Sequence, residues 1–322
     1  MKRILGCLPS LLILALSSIS TIYAFEGPLN VGNQFPLFLH IDAPRLEKAA
    51  IETSFSASLS HSSVYLVQDS HQWSAGIDME FTELGLAFRK NFGDRVEIGV
   101  EVPVLSFNSG FMDGFLSTYH DTFGFPDYGR SDRPDNAFLY EIREKGVLVI
   151  RGESGRIGIG DIRVILKKPL LRSDPAISLQ GSIELPSGDA EAGYGNGSID
   201  AGIALMIDKN LGEKVKSYVN LGVVFPGDLR AHKKIDLREF IYGGASVEAA
   251  VWKSLDLVGQ VFIQGSPFPD IGISEIDRTA ILLSLGGRYH ADRDSFELSF
   301  TEDPNTSGAP DFTVNFSFRR KF

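Results

Sequence analysis

His61 and Ser63 lie two residues apart, so a strand would set both on one face, at a spacing that a serine hydroxyl and its general base could use for acyl transfer. The signal stops there. No Asn or Asp occupies an obvious strand position to orient the imidazole, and parity groups His61 with Ile51, Phe55 and Leu59 on an apolar face. His120 and Asp121, with Asp113 or Asp127, could offer a metal ion imidazole nitrogen and carboxylate oxygen, but a solvated loop carries the same residue types. Gly158, Gly160 and Gly188 precede no Gly-Lys-Ser/Thr run and no helix start, so they read as glycines that relieve crowding where strands bend. Cys7 is the only cysteine and falls near the start of the chain, which excludes thiolate metal sites and cysteine nucleophiles from the remainder. These residues predict no catalytic set, no bound metal and no cofactor.

A second set of chemically capable residues is distributed along the chain. Glu52, Glu97, Glu101, Asp161, Arg163, Lys167, Glu184, Asp200, Lys216, Glu248, Arg288, Glu297 and Arg319 each fall on the polar side of a segment whose alternate residues are apolar. Charges of both signs turned toward one axis could pair and fill it. They could also ring a path for a small solute and set its preference. Both readings use the same residues.

The elements that would position them are strands with a side-chain period of two. In the last segment Phe312, Val314, Phe316, Phe318 and Phe322 share one face, while Thr313, Asn315, Ser317, Arg319 and Lys321 share the other. A phenylalanine-rich face suits lipid and a polar face suits a lumen. Arg320 departs from this pattern close enough to the end to snorkel to an interface. Phe316, Phe318 and Phe322 read as the terminal signal taken by barrel-assembly machinery. The last strand of a soluble β-sandwich would alternate in the same way, with the apolar face inward.

The pattern of connections separates these two folds. About twelve alternating strands are predicted at 51–67, 74–91, 94–106, 156–169, 174–186, 197–209, 215–226, 239–254, 256–267, 278–290, 294–303 and 311–322. Tight turns at 91–94, 172–174, 210–213, 253–256 and 291–294 alternate with longer connections at 186–197, 226–238, 266–277 and 301–310. Sorting loops by side is expected of a membrane barrel with both termini in the periplasm. The fold class predicted is therefore all-β: a transmembrane up-and-down antiparallel β-barrel at residues 51–322. Its longest outer loop, 107–155, carries Phe111, Phe115, Leu116, Tyr119 and Phe123 at helical spacing. A short helix there would bury its apolar side against the outer leaflet or inside the mouth. A hairpin about Glu144-Lys145-Gly146 is expected to rise above the membrane.

Lys2 and Arg3 precede an apolar run from Ile4 to Ile22, and Tyr23-Ala24 offers a small-residue cleavage point, so residues 1–24 read as a cleaved secretory leader. Removing Lys2 and Arg3 from 31 basic residues leaves 29 against 41 acidic ones, a net charge of −12 that argues against nucleic acid as a partner. Residues 25–50 carry Pro28, Pro36 and Pro44 and cannot form a barrel strand, yet Phe35, Leu37, Phe38, Leu39 and Ile41 are too apolar for a free linker. They read as a plug in or beneath the periplasmic mouth.

Several stretches carry a family resemblance. They include Gly27-Pro28-Leu29 with Asn33-Gln34-Phe35-Pro36-Leu37, then Arg95-Val96-Glu97-Ile98-Gly99, and Gly110-Phe111-Met112-Asp113 with Phe123-Gly124-Phe125-Pro126 and Gly129-Arg130. Gly158-Ile159-Gly160-Asp161-Ile162-Arg163, Leu185-Pro186-Ser187-Gly188-Asp189 and Arg319-Arg320-Lys321-Phe322 continue it. The chain resembles an uncharacterised family of outer-membrane barrels, domain-of-unknown-function family 3187. The resemblance implies a barrel in the Gram-negative outer membrane, in contact with its lipids. It supplies no catalytic or binding residues. The expected function is a passive pore for a small solute. The alternatives are a closed surface barrel whose outer loops bind a partner or lipopolysaccharide, and a hydrolase at the rim.

Overall fold

Twelve strands close one antiparallel barrel in the computed structural model, which describes residues 25–42, 44–124, 129–130, 133–305 and 307–322. The leader assigned to residues 1–24 lies outside these residues. The wall comprises β1 (Ser54–Asp69), β2 (Trp73–Phe92), β3 (Val96–Asn108), β4 (Ile162–Leu171), β5 (Ala176–Leu185) and β6 (Asp200–Asn210). It continues through β7 (Val215–Phe225), β8 (Phe240–Trp252), β9 (Leu255–Gln264), β10 (Ala280–Ala291), β11 (Asp294–Glu302) and β12 (Phe312–Lys321). Neighbours in sequence are neighbours in the wall, and β1 closes on β12 from Ser54↔Lys321 to Ser63↔Phe312. The first described residues, the C-terminus and the tight turns lie at one end, here the turn end, which corresponds to the periplasmic side of such barrels. One connection breaks the expected sorting. The β1–β2 turn at 70–72 is short although it lies at the loop end, because strands of 16 and 20 residues carry it past the wall.

Parity decides which side of each strand meets which solvent. On β7, Tyr218, Asn220 and Val224 are buried, while Val219, Leu221 and Phe225 are exposed on the outside. Ten residue steps at about 3.3 Å, tilted by about 40°, span roughly 25 Å, the height of an outer-membrane hydrocarbon belt. Leu221, 60% exposed, sits near mid-belt. Leu221→Arg is expected to cost about 2–4 kcal/mol in urea unfolding from phospholipid vesicles. A change near zero would place this face in water. Arg320 ends the belt at the turn end, where it forms a two-point pair with Asp294, at 2.7 and 2.6 Å. Among the described residues no helix is long and apolar enough to cross a membrane.

At the loop end the bore is roofed. The predicted hairpin forms, at Leu139–Glu144 and Val147–Arg151, but it leans over the mouth instead of standing clear of it. Its first limb extends β2, and its second accepts the His232 N–H at Val149 O, 3.2 Å. Tyr140, Ile142, Val149 and Ile150 are buried there with Phe268, Ile271 and Ile276.

The long loop between β3 and β4 also carries α1 (Asp113–Phe123), and this helix lies outside the barrel. Met112 and Leu116 pack on Phe312 and Val314, both on the outward face of β12. Arg130 ties the loop down by pairing with Asp113 and Asp311 and donating to Ser63 Oγ. Gly110 permits the entry turn, since at φ +81° a Cβ would lie 2.1 Å from the Glu80 side chain.

Candidate functional site

Residues 25–42 and 44–52 occupy the bore. The Pro28, Pro36 and Pro44 positions deny this segment a place in the wall, so its backbone N–H groups find partners among inward side chains. From the turn end upward, Glu26 and Gly27 donate to Glu248 at 3.1 and 3.0 Å, Leu29 to Gln260 at 3.1 Å, and Asn30 to Glu297 at 2.9 Å. Asn33 Nδ2 reaches Gly308 O at the loop end, 2.6 Å, and its Oδ1 accepts the Phe35 N–H as the chain reverses. The return limb pairs Asp42 with Arg163 at 2.8 Å, Arg45 with Glu101, and Glu47 with both Arg89 and Lys167. Ala49 then donates to Asp208 and Glu52 to Glu97. A bridge between Gly32 and Arg45 joins the two limbs.

The plug therefore extends well beyond the periplasmic mouth where the sequence reading put it. The reason is its apex. Phe35, Leu37, Phe38, Leu39 and Ile41 find apolar partners only beneath the roof, where Phe38 stacks on Phe268 at 6.2 Å. Burying such side chains is worth about 1.5–3 kcal/mol each, which favours the loop end over a wet mouth.

All thirteen predicted lumen charges lie on the inner side. Glu97, Glu101, Asp161, Arg163, Lys167, Glu184, Asp200, Glu248, Arg288 and Glu297 are buried. Glu52, Lys216 and Arg319 are partly exposed toward the turn end. Pairing does not cross the bore as expected, because the plug stands in the way. It links wall neighbours and wall to plug: Arg288 holds Glu248 and Glu297, each at 2.5 Å, and also the carbonyls of Gly27 and Pro28. Asp161 and Asp200 hold loops, accepting N–H bonds from Gly188 and Asn196 and from Gly227. Sequence reading missed Arg89 and the plug charges Glu26, Asp42, Arg45, Glu47 and Lys48. Arg89 was detectable, since Leu84, Leu86 and Phe88 point outward and leave it inward. The plug charges follow no period.

A cleft partly open to solvent remains between the plug and the wall. Glu26, Glu52 and Arg319 line its turn end, Arg45, Glu47, Arg89 and Glu101 its middle, and Leu39 and His40 its far end. Burial pushes the His40 imidazole down to about 4, only partly offset by a hydrogen bond to the Gly193 backbone. A histidine lowered on folding stabilises fully above its unfolded value near 6.5 and loses that contribution as pH falls toward 4. Docking of the apex should weaken by about 1.4 kcal/mol per pH unit across that window. Hydrogen exchange at Phe35–Ile41 should accelerate on acidification, and His40→Leu should flatten the profile. An unchanged pH profile in that variant would contradict the assignment.

His61 does lie outward, as parity predicts. It meets Glu80 at 2.8 Å and Thr82 at 2.9 Å, partners not visible from the sequence. The arrangement is closed to substrate. Glu80 also accepts the Phe111 and Met112 N–H groups, and the Phe111 ring covers the imidazole at 5.0 Å. Ser63 faces Arg130 instead of His61. Asp113 is engaged by Arg130, while the His120 side chain and Asp127 lie outside the described residues. Glu248, Asp256 and His290 come within metal-ligand spacing of one another. Glu248, however, already accepts from Glu26, Gly27, Tyr218 and Arg288, which leaves it no lone pair for an ion.

Comparison with known proteins gives the same architecture. The family model described as protein of unknown function (DUF3187) matches residues 3–322. No curated protein matches the chain. Among solved structures, the COG4313 outer membrane channel from Pseudomonas putida F1 superposes with a TM-score of 0.57 at 13% identity, covering 86% of this chain and 98% of that one. The NanC porin gives 0.48 at 6% identity over 84% and 100%. The toluene transporter TodX of Pseudomonas putida gives 0.42 at 10% identity over 90% and 93%. The fold is that of outer-membrane channel barrels.

Proposed function

We propose that this chain, which belongs to the DUF3187 family, is a passive outer-membrane channel for a small solute, narrowed by residues 25–42 and 44–52 seated in its bore. The observation that carries this reading is the charged cavity beside the plug. A purely structural barrel gains nothing from keeping wet, charged space at its axis, whereas a path needs it. Charged side chains of both signs line the cavity, and the excess of acidic over basic residues in the chain, 41 against 31, favours small cations.

The test is planar-bilayer recording of refolded protein beginning at Phe25. The expected result is small, discrete current steps whose reversal potential in a potassium chloride gradient lies on the cation side. Silence under every condition would favour the second reading, a closed barrel acting through its outer loops. The observation behind that alternative is the apolar roof, in which Tyr140, Ile150 and Phe268 are buried above the plug apex.

A further inference from the structure

We infer that the loop carrying α1 is a lipid-contact element, and that Phe111 and Phe115 carry the acyl chains of the surrounding bilayer against the outside of the barrel near its loop end. The argument starts from the wall. Where the apolar belt ends over β1 and β2, outward positions turn polar at His61, Asp78 and Glu80. Bare polar groups facing hydrocarbon would cost several kcal/mol each. The loop covers them with polar contacts of its own: N–H groups from Phe111 and Met112 on Glu80, and Arg133 on Asp78 at 2.5 Å.

The side turned away from the wall presents two large aromatic rings beside the exposed Ser117, Thr118, Asp121 and Thr122, the mixed character of a bilayer interface. Phe111 is 73% exposed and Phe115 51% exposed. Asp113, the acid that opens α1, is turned inward to Arg130. The Phe115 ring lies 5.7 Å from Phe312, whose ring lies 6.1 Å from Phe300, itself exposed on the belt. The exposed rings therefore continue the surface that meets hydrocarbon and form an aromatic margin at the level where chains give way to headgroups. That continuity selects bilayer lipid over a second copy of this chain as the occupant. Contact with lipid here does not depend on whether the lumen conducts.

Phe115→Trp in a Trp73→Phe, Trp252→Phe background, refolded into phosphatidylcholine vesicles, reports the environment directly. Phospholipid brominated near the carbonyl end should remove most of the indole emission, with weaker loss from bromine near the methyl end and little from aqueous iodide. Quenching by iodide with none by either bromolipid would overturn the assignment. So would emission that escapes quenching only as protein density in the vesicle rises, the mark of a second copy on this face. Phe111→Trp in the same background reports the same surface if the first variant does not reach the folded, heat-modifiable form.

Discussion

A chain lacking residues 25–50 should still close its barrel and should carry several-fold more current than the full chain in planar bilayers. The wall ladders run strand to strand and use no hydrogen bond from the deleted segment. The carboxylates and cations released from it, among them Glu101, Arg163 and Lys167, would exchange their partners for water in a wider bore. The roof would lose the apolar apex beneath it, since Phe35, Leu37 and Phe38 pack against Phe268 and its neighbours. Heat-modifiable gel mobility establishes folding independently of conduction. A folded deletion variant no more conductive than its parent would mean that the roof, and not the plug, closes the passage.

Arg288→Met should be the most damaging single substitution in the lumen. The guanidinium is buried among Glu248, Glu297 and the carbonyls of Gly27 and Pro28, so its loss strands two carboxylates and two acceptors at once. Removing one partner from such a buried set costs about 3–5 kcal/mol, read as a lowered urea midpoint in vesicles. Adding Glu297→Gln should recover part of the loss, because one uncompensated charge disappears with it. A cost below about 1 kcal/mol would show that water already screens this site. Arg320, paired with Asp294 at the exposed rim, is the contrast: its replacement by Ala should have little effect.

Most of the wall was legible because a period of two is a strong signal when one face meets lipid. Predicted strands such as 215–226 and 294–303 correspond to Val215–Phe225 and Asp294–Glu302 within a residue or so. The same parity identified the inward charges. Partners were legible only where register supplies them, as in Glu97 opposite Lys167 on adjacent strands. The plug is different. Its path depends on three prolines, an asparagine-led reversal and contacts up to more than two hundred residues away, such as Glu26 with Glu248, and no local pattern encodes those. The position of α1 was undecidable for a related reason. Apolar residues at helical spacing require a burial partner but do not say whether it lies inside or outside the wall.

The anchorage of Arg130 bears on how the cylinder withstands lateral force. Ser63 belongs to the first strand, and Asp311 immediately precedes the last, so one side chain staples the seam at which the two ends of the sheet meet. Leu116, packed on Phe312, adds a hydrophobic clasp at the same height. Peeling the seam open from the loop end must first detach this staple. The closing pair of strands is thus reinforced from outside and poorly suited to parting during membrane strain.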